Sequence, residues 1–170
     1  STAEREANAD FDRLDERFLR HPALAVEQSR MTINAMARKA RENLNDAMLL
    51  LHDYSEAGAE KVAQCEDLID RYEDRLGAYL VKMKTHELNT KQNESVSKYL
   101  HTLSDFERIG DHAMNIAEVA REMHEKKLQF SGEAGKELIV LTAALTEILN
   151  LAVGCFIEED LNRAYRVEPL

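Results

Sequence analysis

In Val62-Ala-Gln-Cys-Glu-Asp-Leu-Ile-Asp-Arg-Tyr-Glu-Asp-Arg-Leu-Gly-Ala-Tyr-Leu-Val-Lys-Met83, the residues Val62, Cys65, Ile69, Tyr72, Leu76, Tyr79 and Met83 alternate spacings of three and four. That is the period of an α-helix burying one apolar stripe, and it excludes a strand. Working outward, the same rhythm recurs. Upstream, Pro22 suits a first helical position, and Val26, Ile33, Ala37, Ala40, Leu44, Ala47 and Leu51 follow it. His52 to Ser55 breaks that pattern, and Asp53 with Glu56 has the spacing of a capping box opening the Val62–Met83 helix. Downstream, the polar run His86 to Asn93 reads as a turn. Val96, Tyr99, Leu103, Phe106, Gly110, Ala113, Ala117 and Ala120 then mark a third helix. Ser131 and Gly132 punctuate before a fourth, carried by Ala134, Leu138, Leu141, Leu145, Ile148 and Ala152. Long helices joined by short turns predict an all-α, antiparallel up-down bundle. Residues 1–20 read as a polar tether, 21–131 as one three-helix unit, and 132–170 as the first helix of a second unit.

Composition agrees and narrows the function. The chain has 170 residues, of which 44% are apolar, enough for a core. Gly (6) and Pro (2) are scarce, as long helices require. A net charge of −10 and the lack of any Lys/Arg block argue against nucleic acid as a partner. Cys65 and Cys155 lack metal or disulfide spacing and read as packing thiols of a reducing compartment. No basic and apolar leader opens the sequence. Leu138 to Ile157 has membrane length, but Glu147 and Asn150 interrupt it and Glu158, Glu159 and Asp160 follow, so it is expected to be a helix buried in protein. A faint repeat at an offset of 105 pairs Ala152 with Ala47, Leu149 with Leu44, Asn150 with Asn45, Ala164 with Ala59 and Val167 with Val62. A second copy on that offset would run past Leu170.

The chemistry concentrates in carboxylates. Glu66, Asp67, Asp70, Glu73 and Asp74 crowd nine positions, and Glu66, Asp70 and Glu73 fall within roughly a 60° arc beside the apolar stripe. On the next helix Glu107, Asp111 and Glu118 fall within roughly 40°, with Asn115 beside them. Like charges four apart cost a helix about 0.2–0.5 kcal/mol per pair, so the clustering needs a reason. One reason is a solvated face relieved by Arg71, Arg75 and Arg108. Another is a site for a hard or borderline cation such as magnesium, manganese or iron, built from facing rows. Gly110 lies on the stripe between Glu107 and Asp111, where a close helix approach would bring the rows together; Gly77 is placed to do the same. A ferritin-like di-iron enzyme would need Glu-x-x-His pairs, and no histidine here has an acid three places before it. His112 points roughly 100° from Asp111, toward the surface. There is no nucleophile elbow and no glycine-rich phosphate loop, and the six methionines read as core fillers.

The segment Asp105-Phe-Glu-Arg-Ile-Gly-Asp-His-Ala-Met-Asn-Ile-Ala-Glu118 resembles the signature helix of the PhoU family of phosphate-uptake regulators. Glu107 to Asp111 matches its Glu/Asp-x-x-x-Asp metal motif, and Glu66 to Asp70 resembles the partner motif. Leu14-Asp-Glu-Arg17 and His21-Pro-Ala-Leu-Ala-Val-Glu-Gln28 resemble a narrower group, the PhoU-like cytoplasmic tails of bacterial sodium/phosphate cotransporters. The resemblance implies two similar three-helix units with metal clusters on one face, iron or zinc among the metals. It implies regulation of phosphate transport rather than catalysis. The expected ligands are Glu66, Asp70, Glu107 and Asp111, with Glu73, Asn115 and Glu118 as neighbours. The expected partners are a membrane transporter domain, upstream in the same chain or separate, and inorganic phosphate held through the metal. The expected location is the cytoplasmic face of the plasma membrane. The second unit's motifs would lie beyond Leu170, so one cluster is expected here, with the fourth helix uncovered and open to homodimerisation or swapping. The rival expectation is a metal-free bundle docking a basic loop of a membrane partner on its acidic face.

Overall fold

The computed structural model describes residues 1–158, and among these every regular element is helical. Helix α1 spans Thr2–Asp12, followed by a 3₁₀ turn at Glu16–Arg20. Then come α2 (Pro22–Leu50), α3 (Glu56–Met83), α4 (Thr90–Glu125) and α5 (Gly132–Glu158). Helices α2, α3 and α4 pack on one another as the up-down bundle that the short turns demand. Their stripes supply the core: Ile33, Met36, Ala37 and Ala40 from α2, Ile69, Tyr72, Leu76 and Met83 from α3, and Val96, Tyr99, Leu103 and Phe106 from α4. A smaller apolar cluster, Ala47, Val62, Ala113, Ala117 and Ala120 among it, closes the far end. Its alanines let the three helices draw together there, as small residues at a crossing allow. Buried Asn43 ties α2 to α3 by donating its side-chain amide to the Val62 carbonyl at 3.2 Å.

Two helix starts differ from expectation. Ser55, not Asp53, caps α3, its hydroxyl accepting from the Gly58 N–H at 3.0 Å. With Ser55 as the cap, Glu56 is the first helical residue and Gly58 the third, so no capping box forms, and the Glu56 carboxylate is held instead by the Tyr54 hydroxyl and Arg121. The polar run His86–Asn93 is only partly a turn: Asn89 and Gln92 form a reciprocal capping box, so α4 already begins at Thr90.

Residues 1–20 are not a tether. Ala7 and Phe11 of α1 are buried, with Ala3 packed behind them, and Leu19 of the 3₁₀ turn is buried too. The segment is fastened along α3. Tyr72 donates its hydroxyl to Asp10, Arg71 pairs with Glu4 at 2.9 Å, Tyr79 donates to the Asp15 carbonyl at 2.9 Å, and Lys82 pairs with Glu16. Phe11 lies 4.9 Å from the Tyr72 ring, under the guanidiniums of Arg71 and Arg75. The apolar signal, three side chains four apart on a short helix, is too thin to read alone, and the polar ties come chiefly from α3.

The expectation of a buried fourth helix is also corrected. Helix α5 lies along α2 and buries Leu149, Val153 and Cys155, with Phe156 reaching the Phe106 ring of α4 at 5.1 Å. Its other side is open: Ile139, Val140, Leu141 and Leu145 are exposed, Val140 at 70%. The bundle α2–α4 already fills its own core, so α5 finds only one flank to cover. It is the one described helix long and apolar enough to cross a membrane. The repeat partners Ala164 and Val167 lie outside the described residues, as does the rest of 159–170.

Candidate functional site

The site is built around one contact between α3 and α4. Gly110 is buried on the α4 stripe, and a Cβ there would stand 3.4 Å from Ile69 Cγ2 and 3.5 Å from Ile69 Cδ1. The α4 backbone therefore rests on the Ile69 side chain, a close approach that a larger residue would hold off. Glu66 and Asp70 flank Ile69, and Glu107 and Asp111 flank Gly110, so the contact sets the two rows side by side. Gly77 does not share this role. A Cβ there would meet Leu103 Cδ1 at 3.7 Å, away from the Glu66/Asp70 and Glu107/Asp111 rows.

The rows feel each other across the helix boundary. Glu66 is held above the ordinary carboxylate range by partial burial, then by the charges of Asp70, Asp111 and Asp67. Asp70 is raised by partial burial and then by Asp111, Asp67 and Asp74. Glu73 is raised by partial burial, Asp70, Asp74 and Asp111. Glu107 is pushed up to about 7 by burial, by a side-chain hydrogen bond with Asp111, and by the charges of Asp111, Glu73 and Asp70. A proton on Glu107 relieves both its burial and the repulsion of the neighbouring carboxylates, which is why this carboxyl holds its proton longer than an ordinary one. Asp111 is the hub, acting on four acids of two helices.

Of the predicted set, Glu66, Asp70, Glu73, Glu107 and Asp111 stand together in this way. Glu118 and Asn115 do not: both are exposed, and Glu118 is not among the charges acting on the others. Asp67 and Asp74, outside the arc counted from sequence, add to the field. The three arginines expected to relieve the rows are turned elsewhere. Arg71 goes to Glu4, Arg75 lies over Phe11, and Arg108 reaches Asp105 at 3.9 Å. His112 is exposed, as its helical angle predicts. Cys65 is half-buried, its Sγ 3.8 Å from the Lys39 carbonyl, and burial pushes its thiol up to about 11.

The donor set is all oxygen, which suits a hard cation in kind. In placement it is open: among the described residues no group of three or more His, Cys, Asp or Glu side chains converges closely enough to hold a metal ion. A cation bound here would have to draw carboxylates inward from their present rotamers.

Residues 33–120 match the family profile described as the PhoU domain, which takes in most of α2, all of α3 and nearly all of α4, and both acidic rows with them. The chain belongs to the PhoU domain family. It is 31% identical over 137 residues to the phosphate-specific transport system accessory protein PhoU homolog 1 of Thermotoga maritima, a match covering 79% of this chain and 58% of that protein. It is 20% identical over 144 residues to the phosphate-specific transport system accessory protein PhoU homolog of Clostridium acetobutylicum, covering 84% and 64%. The chain thus spans less than two thirds of either relative. No solved structure gives a significant match. Helices α1 and α5 lie outside the span that defines this PhoU domain.

Proposed function

We propose that this PhoU domain regulates phosphate transport from the cytoplasmic face of the plasma membrane, and that its α3/α4 acidic face is the working surface. The relatives' names support the transport setting. The observation that carries the surface is the coupling of Asp111 on α4 to Glu66, Asp70 and Glu73 on α3, without arginine relief. Holding five carboxylates together costs stability, which a bound cation would return. Glu66, Asp70, Glu73, Glu107 and Asp111 would hold it; iron, zinc, manganese and magnesium are the candidates. With the cation in place the face could accept inorganic phosphate, which the bare carboxylates repel. The transporter it serves would be a membrane domain of the sodium/phosphate cotransporter kind, in the same polypeptide or separate.

Calorimetry on chelator-treated protein tests this. Saturable binding of one of the four metals is expected, weakened at least tenfold in Glu107→Gln/Asp111→Asn, with phosphate binding only to the metal-loaded form. Absence of metal binding, or binding indifferent to the double substitution, removes the cation.

The open placement of the carboxylates favours a second reading, docking of a basic loop of the transporter without metal. Such a contact weakens steadily with ionic strength and ignores chelators, whereas a metal-bridged one is abolished by them.

A further inference from the structure

We propose that the end of the bundle at the α2–α3 turn carries a pocket for a nucleoside phosphate. A cavity of about 550 Å³ opens where the α2–α3 turn, the end of α4 and the first turns of α5 meet. Its size falls in the range of small-molecule sites, and its walls follow their pattern of apolar and aromatic surface with a few polar groups. What sets it apart is charge. The chain carries 32 acidic residues, and the groove where α1, α2 and α3 meet is lined by Glu4, Glu6, Glu42, Asp46 and Asp67 beside Lys39 and Lys61, yet no carboxylate lines this cavity. Its ionisable lining is Lys136, His52, His124 and Tyr54. Asp53, Glu125, Glu133 and Glu137 each adjoin a lining residue in sequence without lining the cavity, and Glu56, two residues from Tyr54, is occupied by the Tyr54 hydroxyl at 2.7 Å and Arg121 at 3.2 Å. In an acidic molecule such a lining selects an anion.

The walls supply the other half of the ligand. Tyr54 and His124 are stacked, ring centroids 4.6 Å apart at 28°, which holds both planes rigid. Phe130 stands 42% exposed at the same cavity. It is carried there by the turn after α4, where Lys127 adopts a left-handed conformation (φ 54°) and the Leu128 N–H returns to the Met123 carbonyl at 2.8 Å. An aromatic base lying against these rings with its phosphate toward Lys136 satisfies both halves. At Gly132 and Gly135, both in its lining, an added Cβ would meet only open space.

The site is independent of the acidic face, and the test keeps them apart by working in excess EDTA. AMP, adenosine and inorganic phosphate are titrated separately by calorimetry and amide NMR. Saturable AMP binding is expected, at least tenfold tighter than either fragment, weakened tenfold or more in Lys136→Ala and His124→Ala. Gly135→Phe fills the cavity from a position with free space and is expected to abolish binding with helical circular dichroism unchanged. Failure to bind AMP, adenosine or phosphate binding as tightly as AMP, or AMP binding that survives Gly135→Phe each overturns the proposal.

Discussion

At the scale of single residues, Glu107 and Gly110 carry the argument. A carboxyl raised to about 7 from the ordinary 4.5 is protonated in the folded protein at a pH where the unfolded chain has already ionised. Its contribution to stability is therefore fully present below about 4.5 and is lost as pH rises through about 7. Glu107→Gln removes that loss. It is expected to stabilise the metal-free protein above pH 7, by about 1 kcal/mol after allowance for solvent screening, and to change little at pH 4, as read from urea midpoints at the two pH values. Gly110 separates packing from chemistry. A methyl there meets Ile69 at an ordinary contact distance, so Gly110→Ala is expected to be neutral or to gain up to about 1 kcal/mol of helix propensity. Gly110→Leu must push α4 off Ile69 and is expected to cost roughly 1–3 kcal/mol in thermal unfolding. The two rows would separate with it, so Glu107 is expected to titrate closer to an ordinary carboxyl.

At the scale of elements, α2, α3 and α4 were legible because each repeats a three-and-four spacing over many turns, and period survives translation into structure. The pairing of Glu66 and Asp70 with Glu107 and Asp111 was legible for the same reason, since a helical angle places a side chain on a face. Glu118 shows the limit of that reasoning. It shares the arc of Glu107 and Asp111 but lies about 10 Å farther along α4 than Asp111, beyond the reach of the Glu66–Glu73 row. Helix α1 was illegible because its attachment depends on Tyr72, Arg71 and Arg75, residues that read as part of α3 alone. Phe11→Ala is expected to release α1 without dissolving the bundle. Hydrogen exchange would then lose protection over residues 2–12 while α3 and α4 keep theirs. Loss of protection throughout the chain would mean that α1 belongs to the core.

At the scale of the molecule, charge and apolarity are segregated. The acidic face lies on α3 and α4, α1 is clasped to another side of α3, and α5 extends its apolar side from α2 into solvent. Sequence periodicity could not place α5, because a helix apolar nearly all round carries no angle to read. Exposed contiguous apolar surface of this kind drives association. The purified chain is expected to run above its monomer mass in light scattering, and Leu141→Glu/Leu145→Glu is expected to return it to the monomer with its helix content intact. A monomer at all concentrations in the unaltered chain would contradict that expectation.

All of this rests on acids of two helices behaving as one titrating unit, and carbon-detected NMR of the Glu107 side-chain carboxyl in metal-free protein reads that directly. The expected midpoint is near 7, moving down when the α3 residue Glu73 is replaced in Glu73→Gln. An ordinary carboxyl midpoint, unmoved by that change on the neighbouring helix, would contradict it.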